Sequence, residues 1–222
     1  MPFQHFGSIH FSMVLHILSR TSNRFKRVSN NNIPILSTKN LMQNSYCNFC
    51  LNLEADNVHK IYHDTQYGFP IEDDNQLFGR LILEINQAGL SWETILKKKH
   101  NFEKAYDHFD IKTVAGYGER EIQRLLADAG IIRNKLKVNA AIYNANQIIA
   151  LQKEFGSFKN WLDHNHPLTK DKWVKLFKKV FKFTGGEITN EFLMSTGYLE
   201  GTHGPDCPIY HKIAKLNPAW MQ

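Results

Sequence analysis

LLADAGIIRNKLK, residues 125 to 137, joins two helical patterns through a glycine. It begins as a helix, breaks at Ala129-Gly130-Ile131 and restarts on basic residues. A helix, a tight turn and a second helix point backbone N–H groups and a helix N-terminus at one spot, which suits a DNA phosphate without reading base sequence. In this reading Gly130 permits the turn conformation, Ile131 and Ile132 pack beneath it, and Arg133 and Lys135 supply charge. The competing reading is an ordinary helical turn that carries a glycine followed by basic residues.

Working outward, no proline occurs between Pro70 and Pro167, and the segment is dense in Leu, Ile, Ala, Glu and Lys at helical spacing. The pattern predicts an all-α chain. Helices are expected from Asp73 or Asp74 to about Leu90, near 92–98, 101–108 and 119–127, from about 133 to 152, and near 170–180 and 186–196.

LFGRLILEINQAGLSW, residues 77–92, places Leu77, Leu81, Ile85 and Ala88 within roughly an 80° stripe, with Glu84 about 20° from Leu77. A carboxylate there is expected to be buried. Burial without a partner costs several kcal/mol or shifts its pKa, so the group either caps a neighbouring loop or serves a site. Gln87, Ser91 and Trp92 add an amide, a hydroxyl and an indole suited to a flat polar ring.

Metal-ligand chemistry forms a third constellation. Cys50 and His63 lie thirteen residues apart, and HGPDC places His203 and Cys207 four apart. Two thiolates and two imidazoles make the closed tetrahedral set of a structural zinc site, which would join the two ends of the folded body. Cys47 and Cys50 form a CxxC that could replace His63 as a ligand source, and chance pairings among eleven histidines are the plain alternative. Three cysteines without a secretory signal argue against a disulfide framework.

The net charge of +6 is unevenly spread across the 222 residues. Residues 1–41 carry five basic and no acidic side chains, which leaves 22 basic against 21 acidic residues in the rest. That stretch is read as a disordered N-terminal extension, either an organelle-targeting segment or a mis-assigned start ahead of Met42. Residues 42–222 are read as one helical domain. Binding of a polyanion must then come from local clusters at Lys97–His100, Arg133–Lys137 and Lys175–Lys179. No apolar run reaches the roughly 18 residues needed to cross a bilayer, so no membrane partner is expected.

YHDTQYGFP (62–70), INQAGLSWETILKKK (85–99), DAGIIRNKLK (128–137), FKFTGG (181–186) and HGPDC (203–207) occur in the order found in the 3-methyladenine DNA glycosylase I family, which the chain resembles from about Cys50 to Tyr210. The resemblance implies the helix-hairpin-helix DNA glycosylase fold. It also implies structural Zn2+ on Cys50, His63, His203 and Cys207, with Cys47 a bystander. It implies hydrolysis of the N-glycosidic bond of alkylated purines, chiefly 3-methyladenine, in double-stranded DNA, as part of base excision repair.

By the same resemblance Tyr62, Glu84 and Trp92 match the base pocket, and Glu84 is the catalytic candidate. Gly130, Ile131, Arg133 and Lys135 are the DNA-binding candidates. Tyr67 stands where the family carries a tryptophan, and one extra residue precedes His203. No acid lies between Gly130 and Gln152, where wider relatives place a catalytic Asp. The expected protein is a monomer of bacterial, cytoplasmic type, organellar only if residues 1–41 are a targeting segment. A non-catalytic, zinc-stabilised helix-hairpin-helix DNA-binding module is the alternative.

Overall fold

The structure, a computed structural model, describes residues 46–222, so the reading of residues 1–41 lies outside it. The chain divides into two units, Met1–Leu53 and Glu54–Gln222. The described part of the first contains α1 (Tyr46–Leu51), on which Cys47 and Cys50 are both buried.

In the second unit the described residues form helices and turns without a β-strand. These are α2 (Val58–Thr65), α3 (Asp74–Gln87), α4 (Trp92–Ala105), α5 (Ile111–Ala115), α6 (Glu119–Ala127) and α7 (Lys135–Phe155). After them come α8 (Phe158–Asn165), α9 (Lys170–Val180), α10 (Gly186–Ser195) and α11 (Pro208–Ala214), with 3-10 turns at Asp107–Phe109 and Ala219–Met221. No helix among the described residues is long and apolar enough to cross a membrane.

The core is built around α3. Every residue from Leu77 to Asn86 is buried, because α4, α5, α7, α8 and α10 all pack on this helix. The apolar stripe read from sequence is therefore only one side of a helix enclosed all round, and Arg80 goes inside with Glu84. Asp73 caps α3 by accepting from the Gln76 N–H at 2.9 Å. Asp74 has a different task. Its carboxylate accepts from Gln152 Nε2 at 2.7 Å and from the N–H groups of Phe158 and Lys159 at 2.7 and 3.0 Å, anchoring the start of α8.

The helices expected at 92–98 and 101–108 are one helix, α4, ending at Ala105. Its polar stretch Lys97–Asn101 reads as a break, yet Ile95, Phe102 and Ala105 are buried at helical spacing and carry the helix through. Asp107, His108 and Phe109 then reverse the chain with φ of 47°, 57° and 59°. Phe109 packs on Gly79, where an added Cβ would lie 2.5 Å from the ring, so this glycine serves close approach.

α6 and α7 are joined by the turn 128–134, and Asn134 caps α7 by accepting from the N–H groups of Leu136 and Lys137 at 3.0 and 3.2 Å. Gly130 does not adopt a positive φ, so the conformational role expected for it is corrected. A Cβ there would lie 2.9 Å from Asp128 Oδ1 and 3.3 Å from Asn101, and the glycine N–H donates to that Asp128 oxygen at 2.7 Å. Asp74→Ala should cost about 1 to 3 kcal/mol through the donors it strands. The check is a lower urea midpoint at unchanged m-value.

Candidate base pocket and metal donors

α2 presents two adjacent side chains to different places, because neighbours on a helix point about 100° apart. Tyr62 and His63 are both buried. The Tyr62 ring lies 5.1 Å from Trp92 at 64° and 5.4 Å from Tyr67. The Trp92 Nε1–H, also buried, has no hydrogen-bond partner among the described residues. Tyr62 and Trp92 meet edge to face, an arrangement that leaves an aromatic corner rather than two parallel plates.

Glu84 lies in the same buried group, with 4% of its surface exposed. Burial, reinforced by the nearby Glu191 carboxylate, outweighs the pull of Arg80 and the Ser195 hydroxyl and raises Glu84 from the usual 4.5 to about 8. Burial raises Glu191 as well. Arg80, one turn before Glu84, donates to Tyr62 Oη and to the Ser195 carbonyl, both at 3.2 Å, and its guanidinium lies 5.1 Å from the Tyr62 ring centre. Tyr67 Oη donates to Glu191 Oε2 at 3.4 Å. The sequence reading missed Arg80, Glu191 and Ser195. Only Arg80 left a signal, a charge four residues from Glu84 and so on the same helix face.

The metal donors of the second unit converge on Cys207. His63 Nδ1–H donates to Asp64 Oδ1 at 2.6 Å, which turns Nε2 toward the Cys207 sulfur at 3.6 Å. His203 Nε2–H donates to the Tyr67 carbonyl at 2.8 Å, which turns Nδ1 toward the same sulfur at 3.5 Å. Burial lowers His203 to about 4, keeping it neutral as a ligand must be. Two ring nitrogens aimed at one sulfur, each ring held by an outer hydrogen bond, is the dress of a metal ligand. A tetrahedral zinc sets N–S separations of about 3.5 Å, so the residues fit. In the first unit, Cys47 and Cys50 are both buried on α1.

Of the residues proposed to meet DNA, Ile131 is buried beneath the 128–134 turn while Arg133 and Lys135 are exposed. Lys137, expected beside a phosphate, is buried instead. Its Nζ donates to the carbonyls of Asn86 and Ala88 at 2.9 and 2.8 Å, tying the end of α3 to the first turn of α7. Lys98 Nζ donates to the carbonyls of Ala129 and Gly130 at 2.9 and 3.1 Å, holding the turn from beneath.

Because the folded protein holds the Glu84 proton to about pH 8 and the unfolded chain releases it near 4.5, stability from this group falls as pH rises through that window. Glu84→Gln should therefore unfold at a higher temperature than the parent at pH 8, with the difference closing towards pH 4.5. Thermal unfolding followed by circular dichroism at several pH values checks this.

The sequence model of the methyladenine glycosylase family matches residues 52–175. The chain is 33% identical to DNA-3-methyladenine glycosylase 1 of Escherichia coli over 180 residues, 72% of this chain and 96% of the relative. It is 33% identical to DNA-3-methyladenine glycosylase of Haemophilus influenzae over 165 residues, 66% of this chain and 89% of the relative. Its fold is similar to that of 3-methyladenine DNA glycosylase I from Staphylococcus aureus, with a TM-score of 0.66 at 31% identity, covering 74% of this chain and 97% of the other. With more than half of the sequence inside the family's own model and a third of its residues identical to those relatives, the chain belongs to the methyladenine glycosylase family.

Proposed function

We propose that this protein is a DNA glycosylase that hydrolyses the N-glycosidic bond of alkylated purines, chiefly 3-methyladenine, in double-stranded DNA. The observation that carries the reading is the buried Glu84 carboxyl close to Tyr62, whose ring in turn meets Trp92. N3-alkylation makes the deoxyadenosine ring cationic. A purine extruded from the stack can then meet aromatic surface and a carboxylate at once. The relatives' names, and a related 3-methyladenine DNA glycosylase I solved in complex with 3-methyladenine, support the same substrate.

The physical logic is charge matching. Burial and the Glu191 carboxylate hold the Glu84 proton up to about pH 8. A cationic base entering beside it reverses the balance, so the proton leaves and the carboxylate accepts a hydrogen from the base's exocyclic amine. Departure of the base neutralises its positive charge, which makes it a better leaving group than adenine and lessens the need for an acid. Glu84 then supports the sugar cation that develops, and water attacks it. α7 carries no acid from Lys135 to Leu151, in keeping with this division of labour. Arg133 and Lys135, exposed where α7 begins, are the proposed phosphate contacts, and Gly130 and Ile131 shape the turn that presents them, as in a helix-hairpin-helix.

Zinc is proposed as a structural ion on His63, His203 and Cys207, with a thiolate of α1 completing the set. The family spacing points to Cys50. Cys47 is the competing donor, since the same helix buries its thiol as well. When bound, the ion supplies no reaction step; it holds the donors together.

Base release from methylated duplex DNA, with the freed purines separated by chromatography, tests the activity. The parent should release 3-methyladenine, and Glu84→Gln should be slower by about a hundredfold. No release by the parent, with DNA still bound, would establish the non-catalytic binder instead. Metal analysis should find about one zinc per chain. Cys207→Ser should lose it, and whichever of Cys50→Ser and Cys47→Ser loses it with Cys207→Ser names the fourth ligand. A folded, metal-free parent removes the zinc proposal.

A further inference from the structure

Phe183, within the FKFTGG segment, has no part in the pocket, the hairpin or the metal donors. Its neighbour Phe181 packs in the aromatic core against Phe158, Trp161 and Phe177. Phe183 instead keeps 39% of its surface exposed, and its backbone sits at φ 63°, a left-handed conformation that L-residues rarely adopt.

The surrounding structure imposes that conformation. Asn144, fully buried on α7, clamps the preceding residue from both sides: Lys182 N–H donates to Asn144 Oδ1 at 2.8 Å, and Asn144 Nδ2–H donates to the Lys182 carbonyl at 3.1 Å. An aromatic ring held outward on strained backbone is a feature that packing alone does not call for.

Its location is specific. Lys137 Nζ, which also binds the carbonyls of Asn86 and Ala88, lies 5.9 Å from the Phe183 ring centre. The ring is thereby placed beside the first turn after the hairpin and near the end of the helix that carries Glu84. Phe183 lines an open groove of about 620 Å³ with Lys178, Phe181, Thr184, Gly185 and Ile188. No acidic side chain lines it, while Lys178 stands in its wall and Lys182 precedes the ring. An exposed aromatic ring among ammonium groups, without a carboxylate, matches the charge and shape of a nucleotide.

We propose that Phe183 and this groove form a second nucleic-acid contact, which holds a nucleotide of the duplex beside the extruded one. The ring lies against its base or sugar, and Lys178 faces its phosphate. The inference rests on the glycosylase reading and adds a contact to it. A nucleotide of the same strand and one of the opposite strand share this chemistry.

Phe183→Gly separates a contact role from a structural one, because glycine accepts the left-handed backbone without strain. Three quantities are measured on the full chain. These are the urea unfolding midpoint, binding of free 3-methyladenine by tryptophan fluorescence, and binding of a fluorescein-labelled duplex with a tetrahydrofuran abasic site by anisotropy. The expected result for Phe183→Gly is a midpoint equal to or above the parent's, unchanged binding of the free base, and a duplex Kd raised about tenfold. Phe183→Tyr should restore duplex binding. Duplex affinity equal to the parent's in the glycine variant, or a lowered unfolding midpoint in it, overturns the proposal. Failure of the glycosylase reading shows separately, as a parent that neither binds the free base nor releases it from DNA.

Discussion

The enclosure of α3 is the constraint from which the rest follows. A helix packed on by five others has no solvent side to which a charge can turn, so Arg80 and Glu84 are carried into the interior together. Interior charge must find partners or change protonation, and here the two groups do different things. Arg80 gives its hydrogen bonds to Tyr62 Oη and the Ser195 carbonyl, whereas Glu84 faces a second carboxylate, Glu191, and holds its proton. The result is a buried carboxyl kept beside a second one, an arrangement that costs stability.

A short path links this buried group to the candidate metal donors. Tyr62 and His63 are consecutive on α2, one turned to the pocket and the other to Cys207. Tyr67 touches both: its ring stands against Tyr62, its hydroxyl reaches Glu191, and its carbonyl orients His203. The pocket and the donor group thus share a wall, and a shift of either is felt by the other.

Elsewhere in the unit, side chains of α4 and α7 bind carbonyl oxygens. Lys98 and Asn101 hold the carbonyls of the 128–134 turn, and Lys137 holds those at the end of α3. Lysines occupied in this way are removed from the pool available to DNA, so a basic run is a poor measure of how much charge faces a polyanion. Of the run Arg133, Lys135 and Lys137, the first two are exposed and the third is buried.

Much of this was legible in the chain itself. Helical periodicity gave the long α7 with its end before Gly156, the stripe on α3 marked Glu84 for burial, and the five ordered motifs marked the family. These are local properties: propensity, spacing and capping act within a few turns. Tertiary packing alone decided that α3 is enclosed on every side, that Arg80, Glu191 and Ser195 gather around Glu84, that Gly130 serves close approach, and that Lys137 leaves the surface. It also decided that Asp73 and Asp74 cap different helices. The reason is physical. Which groups meet across the interior depends on how helices far apart in sequence stack, and periodicity along one helix carries no information about its neighbours.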